Sequence, residues 1–316
     1  MEALARYLSQ FKKLRRAAVH GGAPHKPVLL LALCRLILNG TIDSPKIFIT
    51  PDLVLEFKEV WSRLVSTPHV PTFSLPFYHM RSEPFWTLIP VGAQAMPQSM
   101  SSLGVLKRFV HGAQIDFGLY ALLKDPHDNN LFQETLIKHY FPGANLLPFS
   151  QIESGLSIQN EILNEDPQQY ELRIESLEKT MSIEAFEEEI FVRGGIFKKV
   201  VPRIYNYQCA ISGMRIETTT NAQMIDACHI VPFAESKDDT ISNGISLCPN
   251  LHRAFDRGLI TITADYAVKV SAQITEKDSP YSIAQFDGRP IILPSDARYY
   301  PGVANLMAHG ERWGFL

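Results

Sequence analysis

Two stretches near the C-terminus decide the fold class of this chain. They are Asp226-Ala227-Cys228-His229-Ile230-Val231-Pro232 and Leu251-His252-Arg253-Ala254-Phe255-Asp256-Arg257-Gly258-Leu259. The first is apolar and strand-like, whereas the second has the apolar spacing of a helix. Asn243-Gly244 lies between them and is a turn signal, because both residue types tolerate positive φ. These patterns predict a hairpin packed on a helix, which can bring His229 and His252 to a common point.

His229 has the chemistry that phosphodiester hydrolysis requires. The reaction needs a base that deprotonates water, a cation that stabilises charge on the phosphate and the leaving oxygen, and a framework that holds both. A neutral imidazole titrates near working pH, so His229 suits the base.

The residue types, their order and their spacing resemble the HNH nuclease motif, the ββα-metal finger. His229 lies 14 residues before Asn243 and 23 residues before His252. A joint pattern of this kind is far more specific than a single histidine. The resemblance implies that His229, Asn243 and His252 are the catalytic residues. Asn243 would tie the loop to the strand and orient the base, and His252 would occupy the metal position.

The second metal ligand is left open by the sequence. Many family members place a carboxylate or a histidine directly before the base, where this chain has Cys228. A thiolate is a poor ligand for Mg²⁺. Asp226 falls on the same strand face as Cys228, so we predict Asp226 and His252 as the ligands of a divalent ion, Mg²⁺ or Mn²⁺. Asp256, one helical turn after His252, is the alternative.

The segment before the hairpin is basic. Residues 193–203 contain Arg193, Lys198, Lys199 and Arg203 and no acidic residue. Similar HNH proteins often have such a basic approach, and we predict that these side chains line the phosphate backbone of DNA. The alternative is a solvated helix face.

Length and charge divide the chain into three segments. The 316 residues are enough for about two domains. Residues 1–150 contain 15 Lys and Arg against 10 Asp and Glu, residues 151–190 contain 2 against 11, and residues 191–316 contain 13 against 12. We predict an N-terminal domain over 1–150, an acidic linker with a short helix over 151–190, and an HNH nuclease domain over 191–316.

The fold class predicted for the whole chain is α+β, with a mainly helical N-terminal domain that contains a small sheet. Helices are expected at 2–18, from Pro27 to Asn39-Gly40, at 51–64 and within 116–140, with a strand at 46–50. Residues 68–90 are rich in proline and aromatic residues and predict turns and short strands. Phe85 and Trp86 within them are expected in the core.

Composition excludes several classes of protein. Four cysteines without a C-x-x-C pair exclude a disulfide framework and a cysteine-rich zinc module. The longest apolar stretch, Val28 to Leu38, is interrupted by Arg35 and is too short to cross a bilayer. The first residues lack the pattern of a signal peptide. We therefore expect a cytoplasmic protein without a membrane partner.

The N-terminal domain resembles the sulfur-binding domain of McrA-type HNH restriction endonucleases, which recognise phosphorothioate-modified DNA. The resemblance rests on three stretches, which are Pro24–Leu31, Leu75–Trp86 and His139–Pro142. Sulfur in place of a phosphate oxygen is larger and more weakly hydrated, so a shallow apolar cup flanked by cations would favour it.

The resemblance implies a set of DNA-binding residues. The cup would use Phe141, Pro142 and Ala144, although Phe-Pro-Gly is more often a helix stop. Arg81 and His79 would contact phosphate or bases, and His25 and Lys26 lie at a predicted helix N-terminus that suits an anion.

The combined prediction is a modification-dependent restriction endonuclease that binds phosphorothioate-modified double-stranded DNA. One HNH site cuts one strand, so a double-strand break suggests a homodimer or two binding events. The alternatives are a reader of methylated or hydroxymethylated cytosine, a nuclease effector switched on by a small nucleotide, and a DNA-binding regulator with a disabled nuclease. Intact His229, Asn243 and His252 argue against the last.

Overall fold

The computed structural model describes residues 2–93, 95–143, 155–218, 223–277 and 279–315. It divides into two compact units. Unit 1 consists of residues 1–154 and 181–192, and unit 2 consists of residues 155–180 and 193–316. Helices dominate the described residues and the sheets are small, so the predicted α+β class is confirmed.

Unit 1 is built around a buried helix and a small antiparallel sheet. Its elements before residue 154 are α1 (Glu2–Lys12), α2 (His25–Leu38), β1 (Lys46–Phe48), α3 (Pro51–Leu64), α4 (Ser74–His79), β2 (Trp86–Pro90), α5 (Leu103–Phe109), β3 (Val110–Ile115), α6 (Phe117–Lys124) and α7 (Pro126–Tyr140). The strand order is β1-β3-β2, with both pairs antiparallel. Phe85 and Trp86 are buried, as the sequence predicts.

Helix α2 is the centre of unit 1. Every residue from Lys26 to Ile37 except Arg35 is buried, and Arg35 pairs with Glu56 of α3 at 2.8 Å. The stretch Val19–Leu38 has the length and mean hydropathy of a membrane span, and 67% of its 18-residue apolar window is buried inside the fold. A mostly buried core helix passes the same test, so the stretch is explained by packing.

Two sequence predictions in unit 1 need correction. The first helix ends at Lys12 and not near residue 18. Residues 74–79, which were expected among turns and strands, form α4. Phe77 and Tyr78 of α4 are buried, and this packing offsets the low helix propensity of a segment that contains Pro76.

The acidic segment does not form a separate linker. It contains α8 (Leu156–Asn164), α9 (Pro167–Thr180) and the start of α10 (Ile183–Ile204). Helices α8 and α9 belong to unit 2, where Glu161 pairs with Arg193 at 2.7 Å and Glu178 pairs with Lys237.

Residues 181–192 belong to unit 1. There, the buried Glu188 carboxylate accepts a hydrogen bond from Phe73 N at 2.8 Å. Burial raises the pKa of Glu188 to about 7. The glutamates therefore make specific contacts, which a sequence argument from charge density alone does not reveal.

Unit 2 contains the predicted hairpin and helix. After α10 its elements are β4 (Asp226–His229), α11 (Phe233–Ser236), β5 (Gly244–Leu247), α12 (Pro249–Asp256), β6 (Ile260–Ile262), β7 (Val268–Val270) and α13 (Val303–Arg312). Strands β4 and β5 are antiparallel and place Asp226 opposite Leu247 and His229 opposite Gly244. Helix α10 runs to Ile204, so the basic segment 193–203 is helical.

Gly244 has a different role from the one its sequence context indicates. Its φ is −117°, so the expected turn with positive φ is wrong. A Cβ at this position would lie 2.7 Å from Val201 Cγ2 and 3.1 Å from the Phe197 ring, both on α10. Glycine is therefore needed for close approach of the hairpin to α10.

We expect Gly244→Ala to lower the free energy of unfolding of unit 2 by about 1–3 kcal/mol, because Val201 and Phe197 are buried and cannot move away. Gly194→Ala is the matched control on α10. Nothing lies within 4 Å of its added Cβ, so it should stabilise by about 0.5–1 kcal/mol. Urea denaturation measures both changes, and equal effects of the two variants would contradict the close approach.

Candidate functional site

His229 is the last residue of β4, and two neighbours fix its ring. The ring stacks on Phe197 with centroids 4.0 Å apart and an angle of 7° between the planes. Its Nε2 lies 2.8 Å from Oδ1 of Asp239. An ionised carboxylate can only accept a hydrogen bond, so Nε2 carries the proton and Nδ1 presents its lone pair.

Asp239 is the buried partner of this histidine. Its residue is 1% exposed, and its second carboxylate oxygen has no hydrogen-bond partner within the described part of the chain. A buried carboxylate that lacks a full set of donors interacts strongly with the one donor it has. Asp239 therefore holds His229 in one orientation and one tautomer.

Asn243 joins the loop that carries Asp239 to the strand that carries His229. The Val231 N–H donates to Asn243 Oδ1 at 2.8 Å. The Asn243 amide in turn donates to the carbonyls of Val231 at 2.8 Å and Asp238 at 2.9 Å. Asn243 is fully buried, and its side chain holds this loop against the strand.

His252 lies on α12 with a carboxylate beside each ring nitrogen. Asp226 Oδ2 is 3.3 Å from Nδ1, and Asp256 Oδ2 is 3.4 Å from Nε2. The two ring nitrogens point in different directions. An ion bound to Nδ1 therefore has Asp226 as its neighbour, and an ion bound to Nε2 has Asp256.

Cys228 lies on the Asp256 side of this histidine. One ligand atom from each of Cys228, His252 and Asp256 falls within 4.8 Å of the others. The Cys228 thiol donates to Asp256 Oδ1 at 3.7 Å. Burial, followed by the charge of Asp256, raises the pKa of this thiol well above its usual value. A hard cation prefers nitrogen and oxygen donors to sulfur, so His252 and Asp256 are the better ligands of this cluster.

His229 and His252 line the same cleft in unit 2. The cleft has a volume of about 380 Å³, and its lining also includes Asp256, Lys198, Arg312 and Trp313. One cleft thus combines a histidine with an available lone pair, a candidate metal centre and two cationic side chains.

A family model described as HNH endonuclease matches residues 209–263. The chain contains an HNH endonuclease domain. This match confirms the resemblance predicted for the strand, the loop and α12. A comparison of this chain with curated proteins found no match.

Three solved structures are similar to parts of this chain. The "Modification dependent TagI restriction endonuclease" is 23% identical with a TM-score of 0.28, and the alignment covers 37% of this chain and 36% of that one. The "Sulfur binding domain of SprMcrA complexed with phosphorothioated DNA" is 19% identical with a TM-score of 0.36, over 46% and 90%. The "Type IV phosphorothioation-dependent restriction endonuclease ScoMcrA" is 11% identical with a TM-score of 0.34, over 78% and 94%.

The alignment with TagI thus spans about a third of that chain. Similarity at these identities and TM-scores does not establish what this chain binds or cuts.

The basic segment of α10 divides into two kinds of residue. Arg193 is 4% exposed and is ion-paired with Glu161, so its prediction as a DNA contact is wrong. Lys198 is exposed and lines the HNH cleft. Lys199 and Arg203 are exposed on the same helix, outside the cleft lining.

Unit 1 has a cavity of about 710 Å³ that collects several predicted DNA-binding residues. We call it the reader cavity. Its lining includes the four predicted residues His25, Lys26, His79 and Arg81, together with Arg15, Arg16, His69, Leu75 and Pro76. Arg81 is exposed, and its guanidinium lies 3.9 Å above the Tyr78 ring. Burial lowers the pKa of both His25 and His79, so the arginines supply the positive charge near pH 7.

The predicted DNA contacts at Lys26 and Phe141 are wrong. Lys26 is 6% exposed, and its ammonium is held by Glu83 and by Ser82 Oγ at 2.7 Å. Phe141 is 8% exposed and ends α7, so it is part of the core and does not form an exposed cup. Pro142 is exposed, and Ala144 lies outside the described residues.

Sequence reasoning missed several residues of the two sites. The role of Asp239 beside His229 was not predicted, because Asp238-Asp239 has the composition of a polar loop. Arg15 and Arg16 fall within the helix predicted at 2–18, and nothing in the sequence connects them with Arg81. Arg312 and Trp313 lie far from the HNH motif in sequence and carry no motif of their own.

Proposed function

We propose that this protein is a modification-dependent DNA endonuclease, in which unit 2 hydrolyses a phosphodiester bond and unit 1 recognises modified DNA. The observation that carries the nuclease assignment is the single cleft that contains His229, oriented by Asp239, and the His252–Asp256 cluster. A nuclease needs these two parts side by side.

His229 acts as the general base in this proposal. The bond from Nε2 to Asp239 leaves Nδ1 to accept a proton from the attacking water, and the carboxylate stabilises the imidazolium that forms. Phe197 restricts rotation of the ring. Asn243 keeps Asp239 and His229 in register through its bonds to the loop between them.

The donors near His252 fit a divalent ion. Nε2 of His252 and the Asp256 carboxylate are suitable ligands for Mg²⁺ or Mn²⁺, and Asp226 offers the alternative on the Nδ1 side. When bound, such an ion supplies Lewis-acid stabilisation of charge on the phosphate and the leaving oxygen. Lys198 adds a positive charge from α10.

We expect His229→Ala to abolish cleavage while DNA affinity stays nearly intact, because a base acts in the transition state. Asp239→Asn should lower kcat by about 10²-fold or more with little change in KM, since the tautomer is no longer fixed. Asp238→Asn is the matched control, because Asp238 is also buried but accepts from Thr240 N at 2.7 Å. Steady-state cleavage of duplex DNA measures all three, and loss of binding in parallel with loss of cutting would show that His229 is structural.

The metal ligands are distinguished by three substitutions. The sequence predicts that Asp226→Asn costs more activity than Cys228→Ser, and the cluster at Nε2 predicts that Asp256→Asn costs more than both. The measurement is the Mn²⁺ concentration that gives half-maximal cleavage, which should rise for a lost ligand. If Asp226→Asn has the larger effect, the ion binds at Nδ1. If Cys228→Ser has the largest effect, the thiol is a ligand and the hard-cation argument is wrong.

The reader cavity supports recognition of phosphorothioate. Arg15, Arg16 and Arg81 provide positive charge for a phosphate, and Leu75 and Pro76 provide an apolar wall. Such a wall leaves a phosphate oxygen desolvated without a hydrogen bond, whereas the weakly hydrated sulfur loses less. Readers of methylated cytosine stack the flipped base on aromatic rings. The described lining offers imidazole rings but no Phe, Tyr or Trp, and its arginines beside an apolar wall match the charge and weak hydration of a phosphorothioate.

The reader is tested in the full-length His229→Ala protein, because residues 181–192 belong to unit 1 and are lost on truncation near residue 150. We expect tighter binding to a phosphorothioate duplex than to matched unmodified and methylated duplexes. Arg81→Ala should weaken binding to all three and reduce the slope of log affinity against log salt by about one.

Arg108→Ala, an exposed arginine of unit 1 outside the cavity lining, is the control. Fluorescence anisotropy at several salt concentrations gives both quantities. Equal affinity for the three duplexes would remove modified-DNA recognition. Displacement of DNA by a small nucleotide would favour a nucleotide-activated effector.

Two further parts of the proposal concern the whole protein. A homodimer would place two HNH sites on opposite strands, since one site cuts one strand. A cytoplasmic location would give the enzyme access to incoming DNA and keep its four buried cysteines reduced.

A further inference from the structure

Helix α13 forms one wall of the HNH cleft, although it lies outside the residues that match the family model. The family match ends at residue 263, and α13 spans Val303–Arg312. His309, Arg312 and the following Trp313 line the cleft together with His229 and His252. The cleft is therefore completed by residues that no HNH motif specifies.

The start of α13 is tied to the loop before Asn243. Gly302 N donates to the Ser242 carbonyl at 2.7 Å, and Asn305 Nδ2 donates to the same oxygen at 3.2 Å. This loop is part of the structure that holds His229, so the helix starts from a fixed point.

The end of α13 is tied to the metal-side helix. The ring of His309 stacks on Phe255 with centroids 3.7 Å apart, and its Nε2 donates to the Phe255 carbonyl at 3.1 Å. Burial lowers the pKa of His309 to about 4, so the ring is neutral and its hydrogen bonds are fixed near pH 7. The Trp313 indole covers Gly258, where an added Cβ would lie 2.3 Å from the ring.

Arg312 extends from this fixed helix to the base side of the cleft. Its Nη1 lies 2.6 Å and 2.7 Å from the two carboxylate oxygens of Glu235 in α11. The two side chains are 40% and 56% exposed. Ion pairs at this exposure contribute little to stability, and α13 is already held at both ends.

We propose that Arg312 is a DNA-contacting residue of the nuclease, and that its guanidinium exchanges Glu235 for a phosphate of the bound strand. A phosphate presents charged oxygens in the geometry that a guanidinium binds well. Arg312 and Lys198 are the Lys and Arg side chains in the described lining of the cleft, and they come from different helices. Glu235 is then a competing anion that weakens DNA binding in the free protein. This inference rests on the proposed nuclease function.

The test compares Arg312→Ala with Arg298→Ala, because Arg298 pairs with Asp296 at 2.6 Å in the same unit but does not line the cleft. We expect Arg312→Ala to lower kcat/KM for a phosphorothioate-modified duplex by about tenfold, the size of a lost charge-assisted hydrogen bond. The slope of log kcat/KM against log salt should fall by about one. Glu235→Gln should raise kcat/KM, whereas Asp296→Asn and Arg298→Ala should leave it unchanged.

Two results would overturn the proposal. One is an Arg312→Ala enzyme with the kcat/KM and the salt dependence of the unchanged protein. The other is an equal loss of activity and of Tm in Arg312→Ala and Glu235→Gln, which would make the pair a structural brace.

A binding measurement in a variant that cannot cleave tests this proposal separately from the nuclease function. Arg312→Ala is combined with His229→Ala, and anisotropy with the same duplex should show weaker binding than for His229→Ala alone. Absence of cleavage by the unchanged protein would contradict the nuclease function, while this arm would still decide the role of Arg312. Unchanged affinity in the double variant would overturn the proposal.

Discussion

The site depends on one buried carboxamide. Asn243 bonds to the backbone at both ends of the loop between His229 and Asp239, so a single side chain sets the distance between base and carboxylate. His229 ends β4, whereas Asp239 lies in the loop between α11 and β5. Water cannot reach these buried hydrogen bonds to replace a lost partner. Removing the Asn243 side chain would therefore leave backbone groups unpaired and destabilise the whole loop. This explains why a fully buried residue belongs to the motif.

The two histidines are similar in sequence but are placed in different electrostatic surroundings. His229 has one buried carboxylate on one nitrogen, which leaves the other nitrogen for proton transfer. His252 has an exposed carboxylate on each nitrogen, which favours a cation. In the proposed mechanism, the side chains that surround each imidazole separate the functions of base and ligand, as environment separates paired acids in other enzymes.

The sequence predicts this site well where the chemistry is local. The spacing of His229, Asn243 and His252 predicts the hairpin and helix that carry them, and apolar patterning and proline position predict α2 and α3. Asp239 and Arg312 are not, because their roles come from tertiary contacts that leave no periodic signal. Charge was misleading in the same way for Arg193 and Lys26. A basic residue in a basic segment is expected to meet solvent, yet each is neutralised inside the fold by a glutamate that is distant in sequence.

The interleaving of the two units has a consequence for protein engineering. Residues 155–180 fold with the HNH unit, and residues 181–192 fold with the N-terminal unit. A chimera joined at a single point would therefore separate one of these segments from its partners and expose apolar residues such as Tyr170 and Ile174. Exchange of the HNH unit for another one therefore needs three junctions, near residues 154/155, 180/181 and 192/193, and not a simple fusion.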